Sequence, residues 1–130
     1  MFQGLTFEPY QLPTETEALR SEVRNFLTEA LPPDFLPNSD FNAGDSAEFS
    51  KSLGERGWIG MTWPARYGGA ERSFLERYVV TEELLAAGAP VGRHWIADRQ
   101  SGPLLLKFGS EDQRQEFLPK IISGDCYFSI

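Results

Sequence analysis

Few residues of this chain could carry acid–base or nucleophilic chemistry. His94 is the only histidine and Cys126 the only cysteine. A thiol nucleophile needs a basic residue within reach, and Cys126 lies in the apolar tail CYFSI with none beside it. A packed imidazole and a buried thiol therefore explain these residues better than catalysis. A metal site is equally disfavoured, because histidine and cysteine form no cluster.

The acidic pair Glu82 and Glu83, in the segment TEELL, is the most visible carboxylate motif. Neighbours on a helix point about 100° apart, so the two carboxylates cannot easily share one site. We expect at least one of them to lie on a solvated face. Phosphate-binding loops of the GxGxxG and GxxxxGK[ST] types are absent.

The segment GWIGMTWPARYGGAERS, residues 57–73, contains Trp58, Trp63 and Tyr67 among glycines and a proline. These aromatic side chains could form the wall of a ligand site, or they could anchor a long connector to the body of the domain. Anchoring is the favoured interpretation.

Length and charge narrow the class of protein. A chain of 130 residues with 41% hydrophobic side chains is long enough for one domain with a core. Its net charge of -7, from 19 acidic and 12 basic residues, disfavours nucleic acid as a partner. No stretch reaches the ~18 apolar residues of a membrane span, and no signal-peptide pattern is visible. We expect a cytoplasmic protein without a membrane span.

The elements that must position these residues are helices. Four pairs have capping-box spacing and mark helix starts, and several glycines mark helix ends; the pairs are Thr14/Glu17, Asp45/Glu48, Ser73/Glu76 and Ser110/Gln113. An irregular lead-in over residues 1–13 and a loop over residues 32–44 flank the first helix. The sequence predicts an all-α, antiparallel domain of five to six helices, with the start of a β-strand at the C-terminus.

Three details of the helices are also predicted. In the third helix, Leu75, Tyr78, Val79, Leu85 and Ala86 are expected to share a face. The pair Gly102-Pro103 is expected to break residues 91–108 into two pieces, with the triplet of leucines at 104–106 buried on most sides.

Two segments resemble the acyl-CoA dehydrogenase family. Residues 57–91, GWIGMTWPARYGGAERSFLERYVVTEELLAAGAPV, are similar to its Gly-Trp-x-Gly, aromatic-Pro-x-x-Tyr-Gly-Gly and Glu-Glu motifs. Residues 102–125, GPLLLKFGSEDQRQEFLPKIISGD, resemble its Phe-Gly-Ser/Thr-Glu and Leu-Pro-x-Ile-x-x-Gly stretch. The resemblance implies an N-terminal helical domain over residues 1–124 and the start of a middle β-domain over residues 125–130.

The resemblance also implies an activity for the full enzyme. Such enzymes bind FAD, remove hydrogen from C2 and C3 of an acyl-CoA thioester, and pass electrons to an electron-transfer flavoprotein as oligomers. The family's catalytic base has no counterpart here, and Glu82 and Glu83 do not take that role. We expect the fragment alone to be inactive. A stand-alone helical interaction module and an oxidase or monooxygenase of the same fold are the alternatives, and a homo- or hetero-oligomer is expected.

Site residues follow from the same resemblance. Phe128 and Ile130 are candidates for contact with the flavin, although packing of a strand on the domain would explain them equally well. Gly92, Trp95, Ile96 and Arg99 are candidates for the wall of the acyl pocket. Core packing is the alternative for Trp95 and Ile96, and a place on the surface or pocket rim is the alternative for Arg99 and is open for His94 too.

Overall fold

The computed structural model describes residues 10–37 and 44–130. Its α-helices are α1 (Thr14–Ala30), α2 (Ala47–Glu55), α3 (Phe74–Ala86), α4 (Gly92–Ile96), α5 (Gly102–Phe108) and α6 (Glu111–Ile122). A 3₁₀ turn spans Ala65–Tyr67 and a π turn spans Ala97–Ser101. The all-α prediction is confirmed. The predictions for residues 1–9, and for the part of the loop over 38–43, lie outside the described residues.

Two of the four capping boxes form as predicted. The side chains of Ser73 and Ser110 each accept a hydrogen bond from the backbone N–H three residues later. The side chains of Glu76 and Gln113 accept one in turn from the backbone N–H of Ser73 and Ser110. The other two predictions were wrong. Thr14 is the first helical residue, after Pro13, and makes no cap. Ser46 caps α2 by accepting from the Phe49 N–H, because the adjacent Asp45 binds elsewhere.

The core lies where α1 packs against α3. Its buried apolar side chains include Leu19, Val23, Phe26 and Leu27 of α1 and Val79, Val80 and Leu84 of α3. The predicted face of α3 was wrong in part, since Tyr78 is 52% exposed and Leu85 is also exposed. The helix is rotated so that Glu83, a charged residue, turns inward.

The connector over residues 57–73 is anchored by its aromatic side chains, as predicted. Trp58, Trp63 and Tyr67 are all buried. The ring of Trp63 lies between two glycines: a Cβ on Gly60 would be 2.8 Å from that ring, and one on Gly102 would overlap it. Only glycine lets the backbone approach the indole this closely.

Residues 92–108 form helix without the predicted break at Gly102-Pro103. The chain instead widens over the π turn, where the Gly102 N–H bonds the Ala97 carbonyl. Pro103 has no N–H, and its ring would collide with a carbonyl one normal turn earlier, so a wider turn relieves the conflict. Leu104 is 60% exposed, so the prediction of a leucine triplet buried on most sides was wrong at that residue.

The C-terminal residues follow α6. Gly124 has a left-handed φ of 78° and ends the helix. Residues 126–130 then run without a strand partner among the described residues, so the expected β-strand stays a prediction. Phe128 packs edge-on against Phe117 of α6, with ring centroids 6.2 Å apart.

Candidate functional site

A groove of about 520 Å³ lies between α4, the π turn and the C-terminal tail. We call it the α4 groove; it is lined by Asp45, Gly92, Arg93, Trp95, Ile96, Gln100 and residues 127–130. One wall is helix and the other is the tail. The surface between them is about equally apolar and polar, and Arg93, Asp45 and Gln100 are among the polar side chains.

Five of the six residues named from the resemblance meet in this groove. Gly92, Trp95 and Ile96 line the helical wall, and Phe128 and Ile130 line the tail. Ile130 is 93% exposed, so it offers an uncovered apolar side chain.

A salt bridge and an aromatic contact hold the tail beside the helix. Arg93 Nε lies 2.8 Å from Asp45 Oδ1, and the same guanidinium sits 4.5 Å from the centre of the Tyr127 ring. A backbone bridge between Asp45 and Val91 keeps Asp45 in place beside α4. These three side chains were missed at the sequence level, because they come from three distant parts of the chain.

Gln100 was also missed, although the sequence carried a signal for it. Gly92, Ile96 and Gln100 recur every fourth residue, a spacing that places side chains on one helical face. The groove confirms that they share a surface.

Arg99 does not line the groove. Its guanidinium lies 4.9 Å from the centre of the Trp95 ring. It donates a hydrogen bond to the hydroxyl of Thr81 on α3, and its Nε is 3.1 Å from Asp98 Oδ2. Burial lowers the pKa of Arg99, and Asp98 opposes that shift.

Asp98 is buried and joins the π turn to the connector. Its Oδ1 accepts a hydrogen bond of 2.8 Å from the Gly60 N–H, while Oδ2 faces Arg99 and, at 3.9 Å, Arg77. A buried carboxylate needs such donors, since an unpaired charge in a core is very costly. Asp98 therefore fixes the position of the turn that follows Trp95.

His94 points away from the groove and into the core. It is 6% exposed, and its Nδ1 shares a 2.8 Å hydrogen bond with Ser50 Oγ of α2. Burial lowers the pKa of His94 from 6.5 to about 4. The imidazole is neutral at physiological pH, which agrees with the packing role expected from the sequence.

A second cluster of charges joins α1 to α3. Glu83 receives hydrogen bonds from Arg24, at 2.8 and 3.0 Å, and from Arg20. Arg20 also lies 2.7 Å from Glu82. Hydrogen bonds from Arg24 lower the pKa of Glu83, and those from Arg20 lower the pKa of Glu82. Both carboxylates pair with Arg20, so they do share one cation despite their different directions on the helix. Glu82 is the more exposed of the two, which agrees with the expectation that at least one is solvated.

The chemistry available in the α4 groove is therefore binding. Its walls present indole, aliphatic and aromatic surface with one guanidinium that is already paired. The part of the chain that the structure describes contains no group of three or more His, Cys, Asp or Glu able to hold a metal. None of its described helices is long and apolar enough to cross a membrane.

Comparison with known proteins gives a consistent result. Residues 13–125 match the family model described as acyl-CoA dehydrogenase, N-terminal domain. The chain is 30% identical over 122 residues to the acyl-CoA dehydrogenase FadE26 of Mycobacterium tuberculosis, covering 89% of this chain and 30% of that protein. It is 36% identical to the mitochondrial isovaleryl-CoA dehydrogenase of Pongo abelii, covering 88% and 27% respectively.

Solved structures agree with these relatives. The steroid acyl-CoA dehydrogenase Tcur3481-Tcur3483 superposes with a TM-score of 0.74 at 34% identity, over 90% of this chain and 31% of that one. The ChsE4-ChsE5 complex from Mycobacterium tuberculosis gives a TM-score of 0.75 at 26% identity, over 92% and 30%. The chain thus spans roughly a third or less of the length of these proteins.

Proposed function

Because the chain belongs to the acyl-CoA dehydrogenase family, we propose that it forms the N-terminal helical domain of an FAD-dependent enzyme that oxidises an acyl-CoA thioester to the 2,3-enoyl-CoA. The α4 groove is the observation that carries this proposal. Five residues named from the resemblance line this groove, whose surface is about half apolar, and that supports the proposal. An acyl chain is an apolar ligand that such a surface would bind by burial of hydrocarbon.

In this proposal the two walls of the groove have different tasks. Trp95 and Ile96 contact the acyl chain and limit its size, and Gly92 leaves room where a side chain would intrude. The tail closes the other side, held through Arg93 and Tyr127. The catalytic base belongs to another part of the full protein, so this chain contributes binding and exclusion of water.

The residues present fit only one part of FAD. The exposed side chain of Ile130 and the partly buried ring of Phe128 offer apolar contact for the edge of a flat ring system. The diphosphate of FAD would be bound outside this chain, because the groove's guanidinium is already paired with Asp45. When bound, FAD supplies the acceptor for the hydride removed from the substrate.

The acyl group and the partners are proposed at the level of class. Relatives include an isovaleryl-CoA dehydrogenase and a steroid acyl-CoA dehydrogenase, so the groove is proposed to take either a small branched or a bulky acyl group. The full enzyme is also proposed to be a homo- or hetero-oligomer, to pass electrons to an electron-transfer flavoprotein and to be cytoplasmic.

The test uses protein expressed from the complete reading frame that contains this chain, beside the 130-residue chain alone. We expect the longer product to be yellow, with flavin absorbance, and to reduce an artificial electron acceptor in the presence of acyl-CoA. The 130-residue chain is expected to show no turnover. A longer product without flavin or turnover would overturn the proposal and favour a stand-alone interaction module; turnover by the short chain would show that the fragment is not inactive.

A matched pair of variants tests the groove itself. Ile96→Trp fills the space beside Trp95 and should lower kcat/KM at least about tenfold through KM, because the acyl chain loses its place. Glu22→Trp adds the same side chain on the exposed face of α1 and should leave kcat/KM within about twofold. Equal effects of the two changes would refute the placement of the acyl chain.

A further inference from the structure

Arg99 does not line the groove, yet it contacts the largest side chain of the groove wall. Its guanidinium packs over the Trp95 indole, 4.9 Å from the ring centre. A cation over an indole face is attracted to the ring, more strongly where water is excluded. The side chain of Arg99 is only one-quarter exposed.

Two fixed groups hold this guanidinium. The hydroxyl of Thr81 on α3 accepts one N–H, and the carboxylate of Asp98 faces Nε at 3.1 Å. Thr81 is fixed in turn, because its hydroxyl donates to the carbonyl of Arg77 at 2.7 Å. Asp98 is fixed by the Gly60 N–H at 2.8 Å. The planar fork of arginine can satisfy both partners while its face stays on the indole.

We infer that Arg99 is a positioning residue that fixes the orientation of the Trp95 indole and thereby sets the size limit of the acyl group. Its anchors are Thr81 of α3 and Asp98 of the π turn, and neither side chain lines the groove, so the indole is held by groups that do not contact the ligand space. The part of the inference that concerns acyl size rests on the proposed function; the part that concerns the indole does not.

The first experiment reads the indole directly. The chain has three tryptophans, so fluorine NMR of protein labelled with fluorotryptophan gives three signals, and Trp95→Phe assigns one of them. In Arg99→Met we expect the Trp95 signal to shift and to become more sensitive to a soluble quencher. The buried Trp58 and Trp63 signals should persist, which shows that the variant is folded.

Three further variants sharpen this reading. Arg66→Met removes a guanidinium that lies 4.7 Å from the Tyr67 ring, away from the groove, and should leave the Trp95 signal unchanged. Arg99→Lys keeps the charge but not the fork and should give an intermediate shift. Thr81→Val removes one anchor and should move the signal in the same direction, which keeps the test valid if Arg99→Met fails to fold. A wild-type Trp95 signal in both Arg99→Met and Thr81→Val would overturn the inference.

The second experiment measures acyl preference in the flavin-loaded enzyme that contains this chain. In Arg99→Met the ratio of kcat/KM for a bulky over a small acyl-CoA should change about tenfold, through KM, with kcat for the preferred substrate nearly unchanged. An unchanged ratio together with a moved indole would overturn the assignment to acyl size. If the wild-type enzyme oxidises no acyl-CoA, the proposed function fails, and the NMR result still decides whether Arg99 positions Trp95.

Discussion

The neutral, buried His94 leads to a prediction of how the stability of the folded protein depends on pH. The folded protein holds its pKa at about 4 because burial disfavours the imidazolium, against 6.5 for an exposed histidine. Between these two values the unfolded chain binds a proton that the folded chain does not. This group therefore leaves the free energy of unfolding almost unreduced above pH 6.5 and lowers it progressively as the pH falls toward 4.

The magnitude follows from the two pKa values. Lowering the pH from 7 to 5 should reduce the free energy of unfolding by about 2 kcal/mol through this one group. The ion-paired carboxylates contribute little in this window. Their pKa values are lowered in the folded state, as for Glu83, so their contribution is present above the ordinary carboxyl pKa and is lost at lower pH.

Urea unfolding at a series of pH values measures the effect, with His94→Gln as the comparison. Whatever its stability at pH 7, the variant should lack the loss of about 2 kcal/mol between pH 7 and pH 5. Ser50→Ala removes the hydrogen bond to the imidazole while leaving it buried, so most of the pH dependence should remain in that variant.

An NMR titration provides a direct check, because His94 is the only histidine and its ring signals need no assignment among several. The midpoint should lie near pH 4. A midpoint near 6.5, or equal pH dependence in the wild type and His94→Gln, would refute the burial argument.

Two further predictions concern the helix contacts and the connector. Glu83→Gln should lower the free energy of unfolding by about 2 kcal/mol in urea titrations, because it leaves Arg20 and Arg24 without their buried partner; Glu82→Gln, at a more exposed carboxylate, should cost less than about 1 kcal/mol. Gly60→Ala combines a φ of 63° with a Cβ 2.7 Å from Ile122 and should cost about 3 kcal/mol. Gly57→Ala has a similar φ of 71° but its Cβ would meet only an ordinary contact, 3.8 Å from Ala70 Cβ, and should cost about 1 kcal/mol by thermal or urea unfolding. Equal losses within either pair would contradict the reasoning for that pair.

The helix α3 shows what sequence periodicity could and could not predict. Its limits followed from the Ser73 cap and from Gly88, and both are confirmed. Its buried face did not follow, because apolar residues occur around more than one side of the helix. The orientation is decided by Glu83, whose charge is buried against Arg20 and Arg24 of α1. Hydrophobic periodicity treats glutamate as a surface residue, so it cannot predict that Glu83 is buried.

The predicted start of α2 was wrong for a related reason. Asp45 and Ser46 are adjacent and both are good cap residues, so local sequence cannot choose between them. Asp45 binds Arg93, which lies far along the chain, and Ser46 is left to cap the helix. The same distant contact belongs to the α4 groove. Candidate residues of the helical wall and the tail could be named from neighbouring motifs, whereas the contacts of Arg93 with Asp45 and with the Tyr127 ring could not.

The π turn has a consequence for how such domains could diverge. It contains one more residue than an α-helical turn of the same length, and each residue rotates a helix by about 100°. Deleting one residue within 97–101 would remove this extra rotation and turn Trp95 and Ile96 around the helix axis relative to α5, while bringing back the conflict between Pro103 and an ordinary α-helical turn. A change of one codon could thus replace the surface that faces a ligand while every remaining side chain, including those that form the core, keeps its identity.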